Sequence, residues 1–329
     1  MARADAVSVA ALECGARIAR LLPQSRPGDD PWRMGESRMP IIRNLPLVLA
    51  LVMAVAAGPV LVPATARADA ATEQTAPRLA TLLEHLAFDE VVAVMQAEGL
   101  DYARSLDADL LGDRGGAGWM RAAERIYDAG RMRTAIVAEL DALLPDDAEA
   151  IAAMEAFFGS DRGQRIIALE NGARRALLDA DVDAAARAGA AALETEGGPL
   201  LALIEAFIDA NDLIEANVEG GMNANFAFYM GLRESGLPAF DLPEGDMLAD
   251  VWSQEEVIRA DTRAWLLAYL GLAYRPLPEA DLQAYIDFSR SPEGRALNRA
   301  LFGAFNAVFT RISHDLGRAA GQVLREQDI

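Results

Sequence analysis

Phe288-Ser289-Arg290-Ser291-Pro292-Glu293-Gly294 repeats, 131 residues on, the phrase Phe157-Phe158-Gly159-Ser160-Asp161-Arg162-Gly163. Both copies read Phe-x-x-Ser-x-x-Gly, and each closes one apolar-periodic stretch and opens another. Each is therefore expected to form a tight corner between two helices. Ser160 and Ser291 stand where an N-cap belongs, their hydroxyls placed to accept an otherwise orphaned backbone N–H. Pro292 falls on the first helical position, where a missing N–H costs nothing. Gly163 and Gly294 sit in the first turn, where a side chain would hold the incoming helix away.

Outward from these corners the periodicity is helical throughout. Leu82, Leu83, Leu86, Val91, Val92 and Met95 recur at helical spacing up to Gly99, which is expected to end the run. A second helix carries Met120, Ile126, Met132, Ile136 and Leu140 and stops before Pro145. Asp146 with Glu149 reads as a capping pair for a short helix bearing Ile151, Met154 and Phe157. Beyond the Ser160 corner a long helix starts at Ile166 and fades near Glu194. After Gly197-Gly198 the pattern restarts. Leu82 and Leu203, Glu84 and Glu205, and Gly99 and Gly220 align at a constant offset of 121, ten short of the corner offset. No segment alternates in the manner of a strand. The expected fold is all-α, with two tandem related four-helix units, 69–196 and 197–329, packed into a bundle. The last long helix contributes a wide stripe of Leu297, Leu301, Phe305 and Phe309.

The approach Leu277-Pro278-Glu279-Ala280-Asp281-Leu282, followed by Phe288-x-x-Ser291-Pro292-x-Gly294, resembles domain-of-unknown-function family 2059, a helical module of exported bacterial proteins. The second copy carries the pattern over residues 245–315, whereas the first has Asp161 where the family has proline. The resemblance implies helices and the cell envelope. It brings no established activity and no catalytic residues.

Residues 39–68 read as a signal peptide: an apolar run over 45–62, basic residues before it, and Ala64-Thr65-Ala66-Arg67-Ala68 after it. Retention as a membrane anchor is the competing reading. Residues 1–38 read as a leader outside the fold: Met34 and Met39 are both alternative starts, and the segment before them shows no sustained periodicity. The mature chain would begin at Asp69 and be periplasmic, with no stable membrane insertion. It carries 22 arginines against 45 carboxylates, a net charge of −23, which argues against nucleic acid and anionic membrane surfaces. Such acidity favours neutral or basic partners overall. The single cysteine of the sequence, Cys14, lies in the leader, so neither disulfides nor thiolate chemistry are expected in the mature chain.

Chemistry is hard to place in this sequence. The corner serines have no histidine near them in sequence; the mature chain has only His85 and His314. No catalytic residue, metal site or cofactor is therefore assigned. Asp107-x-Asp109 starts like a calcium loop but lacks the ligand at its twelfth position. Glu84 and Glu205 lie beside equivalent apolar stripes, and Glu170 with Arg174 reads as an i,i+4 ion pair. Asn223, Asn225, Phe226 and Tyr229, next to a Gly220-Gly221 pair expected to break the helix, combine directed polar groups with apolar area, as a ligand cleft would. The expected function is non-enzymatic binding or scaffolding in the cell envelope, with an unidentified envelope protein as partner. The alternative is a carrier holding a small apolar or amphipathic ligand between the two units. An acid/base hydrolase of envelope polymers is a third reading.

Overall fold

The computed structural model describes residues 77–327; the leader and signal peptide expected over 1–68 lie outside the described residues. All the regular structure described is helical, as expected. A 3₁₀ turn, Pro77–Leu79, leads into α1 (Ala80–His85), α2 (Phe88–Asp109), α3 (Gly116–Ile126), α4 (Ala129–Leu143), α5 (Ala148–Phe158), α6 (Asp161–Ala176) and α7 (Ala180–Glu196). Then follow α8 (Pro199–Ala210), α9 (Leu213–Arg233), α10 (Glu244–Ser253), α11 (Glu255–Tyr274), α12 (Glu279–Ser289) and α13 (Pro292–Gln327).

Local chemistry explains where the helices stop. Asp128, Asp147, Ser160 and Asp179 each accept a backbone N–H of the next helix, so α4, α5, α6 and α7 all start on side-chain caps. The α5 cap is thus Asp147, one residue after Asp146. The helix expected to run from Ile166 to Glu194 is two helices, because Asp179 captures the N–H groups of Asp181 and Val182 and starts α7 afresh. Residues Ala87 and Asp212 adopt left-handed conformations, with φ of 47° and 50°, and kink α1 into α2 and α8 into α9. These equivalent kinks are 125 residues apart rather than 121. Each expected helix ahead of the short corner helix is in fact a kinked or broken pair, so the four-helix description of a unit undercounts its segments.

Two glycines expected to stop helices lie inside them. α2 runs through Gly99, where a Cβ would come within 2.2 Å of the Tyr127 ring. α9 likewise continues unbroken through Gly220 and Gly221. Gly99 makes room for a packed aromatic, a role that local sequence does not distinguish from termination.

The spine is α13, 36 residues and about 54 Å long at 1.5 Å per residue. It lies along α9 and also packs against α3, α4 and α5, while α11 packs against α6, α7 and α9. Elements of the two expected units therefore share one core. The α9–α13 approach is backbone to backbone: a Cβ at Gly317 would lie 2.1 Å from Phe228 O, and one at Gly231 would lie 2.1 Å from His314 O. We expect Gly317→Ala to lower stability by about 1–3 kcal/mol, through forced separation of the helices. Gly172→Ala, on exposed helix with nothing near its Cβ, should instead raise it by about 0.5–1 kcal/mol. Thermal melts of both variants check the pair; equal shifts would show that helix propensity, not contact, governs position 317.

The two corners form as their sequences imply. Ser160 Oγ accepts the Gly163 N–H at 3.0 Å, and Ser291 Oγ accepts the Gly294 N–H at 3.0 Å. A Cβ on Gly163 would meet Phe157 O at 2.3 Å, and one on Gly294 would meet Phe288 O at 2.0 Å. The equivalent rings Phe157 and Phe288 stack on each other, centroids 4.1 Å apart and planes 12° apart. Asp281 on α12 accepts Arg162 at 2.8 Å and Arg165 at 2.6 Å, tying α6 to the second corner.

Candidate functional site

The four residues expected to line a cleft separate on α9. Tyr229 is buried, its hydroxyl donating to Asp250 Oδ2 at 2.9 Å; burial and that carboxylate both raise the phenol's pKa. Asn225, also buried, donates to Gln254 Oε1 at 3.2 Å, and Gln254 donates in turn to Asp250. Together they form a buried network joining α9 to the α10–α11 junction, in which Asn225 Oδ1 has no hydrogen-bond partner among the described residues. Asn223 is exposed and bonds Asn306 on α13 at 3.4 Å, and Phe226 is half-buried. None of the four lines either of the two surface clefts described below.

Apart from Glu84, which is exposed, the other candidates are engaged in structure. Both corner serines cap helices. His85 Nδ1 lies 3.1 Å from Glu155 O, and His314 pairs with Glu234. Glu205 accepts Arg263 at 3.1 Å. Asp107 closes the Gly-rich loop by accepting the Gly115 N–H at 2.7 Å. Among the described residues no group of three or more His, Cys, Asp or Glu side chains is disposed to hold a metal ion.

One surface feature has the size and chemistry of a ligand site. A groove of about 590 Å³ runs between α3, α4 and the C-terminal half of α13. Its walls carry Arg125 and Arg131 on one side and Arg311 and Arg318 on the other, against the single carboxylate Asp315. Ile126, Met132, Val308 and Ile312 form an apolar floor between them. The spacing of α13 residues 308, 312, 315 and 319 puts them on one helix face. Arg311 is held by Glu139 at 2.9 Å and Arg318 by Asp315 at 3.0 Å. Arg125 and Arg131 make no ion pair or side-chain hydrogen bond among the described residues. Arg121, Arg275, Arg290 and Arg299 also lack a carboxylate partner among the described residues; what distinguishes Arg125 and Arg131 is that they share one groove with an apolar floor.

A second cleft, about 500 Å³, contains Asp209, Asp212, Glu215 and Glu256 with Arg259 and Arg263. It neutralises itself: Arg259 forks onto both oxygens of Glu215 and also reaches Glu255. Burial and the Glu215 charge raise the Asp212 carboxyl.

Inside the protein lies a polar cluster that the helical spacing misassigned. Arg174, 1% exposed, does not pair with Glu170 one turn away; it forks onto Glu98 of α2 at 3.0 and 2.8 Å. Glu170 turns the other way, where Tyr274 donates to its Oε1 at 2.5 Å. Tyr269 and Tyr285 complete its surroundings. Desolvation pushes the Glu170 carboxyl up to about 7, against the opposing hydrogen bonds from tyrosine. No cleft described here reaches this carboxyl, so its perturbation belongs to the core.

Scans against protein-family models, curated proteins and solved structures each return no match. The resemblance to family 2059 thus rests on the residues quoted for it. The groove arginines escaped the sequence reading because they are four among thirty scattered basic residues. The seven-residue interval between Arg311 and Arg318 was the available signal, marking one face of a helix; only packing reveals that Arg125 and Arg131 stand opposite.

Proposed function

We propose that the protein is an exported, periplasmic, non-enzymatic binding protein of the cell envelope, and that it takes an anionic ligand in the groove between α3, α4 and α13. The observation that carries this reading is the pair Arg125 and Arg131, exposed over an apolar floor without carboxylate partners. Net charge sums over the whole surface, whereas recognition is local; a −20 chain can present a cationic groove and still repel polyanions elsewhere. The ligand site expected at Asn223, Asn225, Phe226 and Tyr229 finds less support, because Asn225 and Tyr229 are buried and turned onto Gln254 and Asp250 rather than into a cleft.

Native mass spectrometry of protein purified gently from the periplasm tests the proposal. The expected result is a retained anionic adduct on the natural chain that is absent from Arg125→Ala/Arg131→Ala. Bare protein in both samples, or equal retention in both, would count against the groove.

A second reading, docking of a protein partner, draws on the apolar side chains left in solvent at the α10–α11 junction. Trp252 is 61% exposed, and Leu248 on the same helix face and nearby Val257 are exposed with it. Trp252→Ala should leave stability nearly unchanged and abolish envelope cross-links if that surface docks a partner.

A further inference from the structure

We infer that the groove's ligand is a single-chain anionic amphiphile, a carboxylate or phosphate head on one alkyl chain. This inference rests on the binding reading above and names its ligand class. The argument starts from what the walls offer. Guanidinium groups present rigid forks matched to carboxylate and phosphate oxygens, and Arg125 and Arg131 are the two with no such oxygen already in place. They flank the α3–α4 junction, at one rim of the groove.

The floor answers to a different chemistry. Ile126, Met132, Val308 and Ile312 are contributed by three helices, and Ala122, Ala135 and Ala319 keep the walls low beside them. A small inorganic anion would satisfy the arginines without touching this strip, whose groove-facing edge is narrow: Ile126 is half-buried, and Met132, Val308 and Ile312 are buried. An uncharged lipid would cover the strip and leave the arginines unused. The volume of about 590 Å³ falls in the range of ordinary small-molecule sites, about 300–1,000 Å³, and suits one alkyl chain better than a diacyl lipid. Methionine on the floor adapts its shape to a flexible chain. Asp315, fixed between Arg318 and His314, supplies the one repulsive charge in the lining; it disfavours a second anionic group along the groove.

Isothermal titration of the purified mature protein with four defined probes tests the inference: laurate, dodecyl maltoside, acetate and inorganic phosphate. Laurate should bind one to one, at least tenfold more tightly than acetate, phosphate or the uncharged maltoside. Arg125→Ala/Arg131→Ala should weaken laurate at least tenfold while the helical circular-dichroism spectrum stays unchanged, because both side chains are exposed. Ile312→Ser, at a buried floor position, should weaken laurate and leave the weak acetate binding alone. Phosphate binding as tightly as laurate would overturn the amphiphile while the groove survived as an anion site. Maltoside binding as tightly as laurate would reduce the groove to apolar adsorption and overturn it. Absence of binding by all four probes, with an adduct still seen by native mass spectrometry, would overturn the ligand class alone; absence of both would overturn the groove altogether.

Discussion

Replacing the buried Arg174 by alanine is expected to cost about 3–5 kcal/mol of folding stability. Arg174 is 1% exposed and forks onto Glu98, whose side chain is 17% exposed. Removing the guanidinium leaves a carboxylate with little water to replace its partner, and empties the space of one of the largest fully buried side chains. Both costs act in the same direction. The attraction within the pair is a separate quantity. A buried ion pair is often matched by apolar residues of similar volume, so Glu98→Leu/Arg174→Met should recover most of the loss. Chemical denaturation of the two single variants and the double variant checks this. A double variant as unstable as the sum of the singles would mean the charges contribute more than the packing that can replace them.

Glu170→Gln is expected to stabilise the protein at alkaline pH and to do nothing near pH 4.5. The native carboxyl titrates at about 7, raised from 4.5 by burial. Between those values the folded chain keeps a proton that the unfolded chain has released, so stability falls as pH rises through this window and the full cost is present above it. At about 1.4 kcal/mol per pH unit the cost approaches about 3 kcal/mol. Glutamine is neutral throughout and keeps an oxygen for the Tyr274 hydroxyl. The expected gain at pH 8 corresponds to about 6–12 °C in melting temperature for a chain of this size. The measurement is the difference in stability between the two proteins from pH 4.5 to 8. A flat difference would show that the native carboxyl titrates where the unfolded one does, and would overturn the burial effect.

These two side chains also show where sequence reasoning stops. Residues four apart on a helix are neighbours, and Glu170 with Arg174 met that condition. Yet Glu98, 76 residues away, and Tyr274, 104 residues away, took one each. The local pair would gain a few tenths of a kcal/mol in water, while the long-range partners act after desolvation, where an unpaired group costs several times more. The same hierarchy separates the glycines. Gly163 and Gly294 were legible because a capping serine three residues earlier defined their turn. Gly99, Gly231 and Gly317 carry no such companion, and their reasons are Tyr127, His314 and Phe228 on other helices.

Residue order along the chain was enough to read the helical class, the two corners with their caps, the restart after Gly197-Gly198 and the stripe that became the spine. All of these depend on residues within a few positions of one another: periodicity, a hydroxyl three residues before an N–H, a proline at the first turn. Packing between distant segments was needed to bring α13 against both halves, to turn Asn225 and Tyr229 onto Gln254 and Asp250, and to place Arg125 and Arg131 across an apolar floor from Arg311 and Arg318. Those outcomes depend on which helix faces meet, and burial then selects partners by the cost of leaving charge or backbone unsatisfied, a cost that does not exist until the chain has packed.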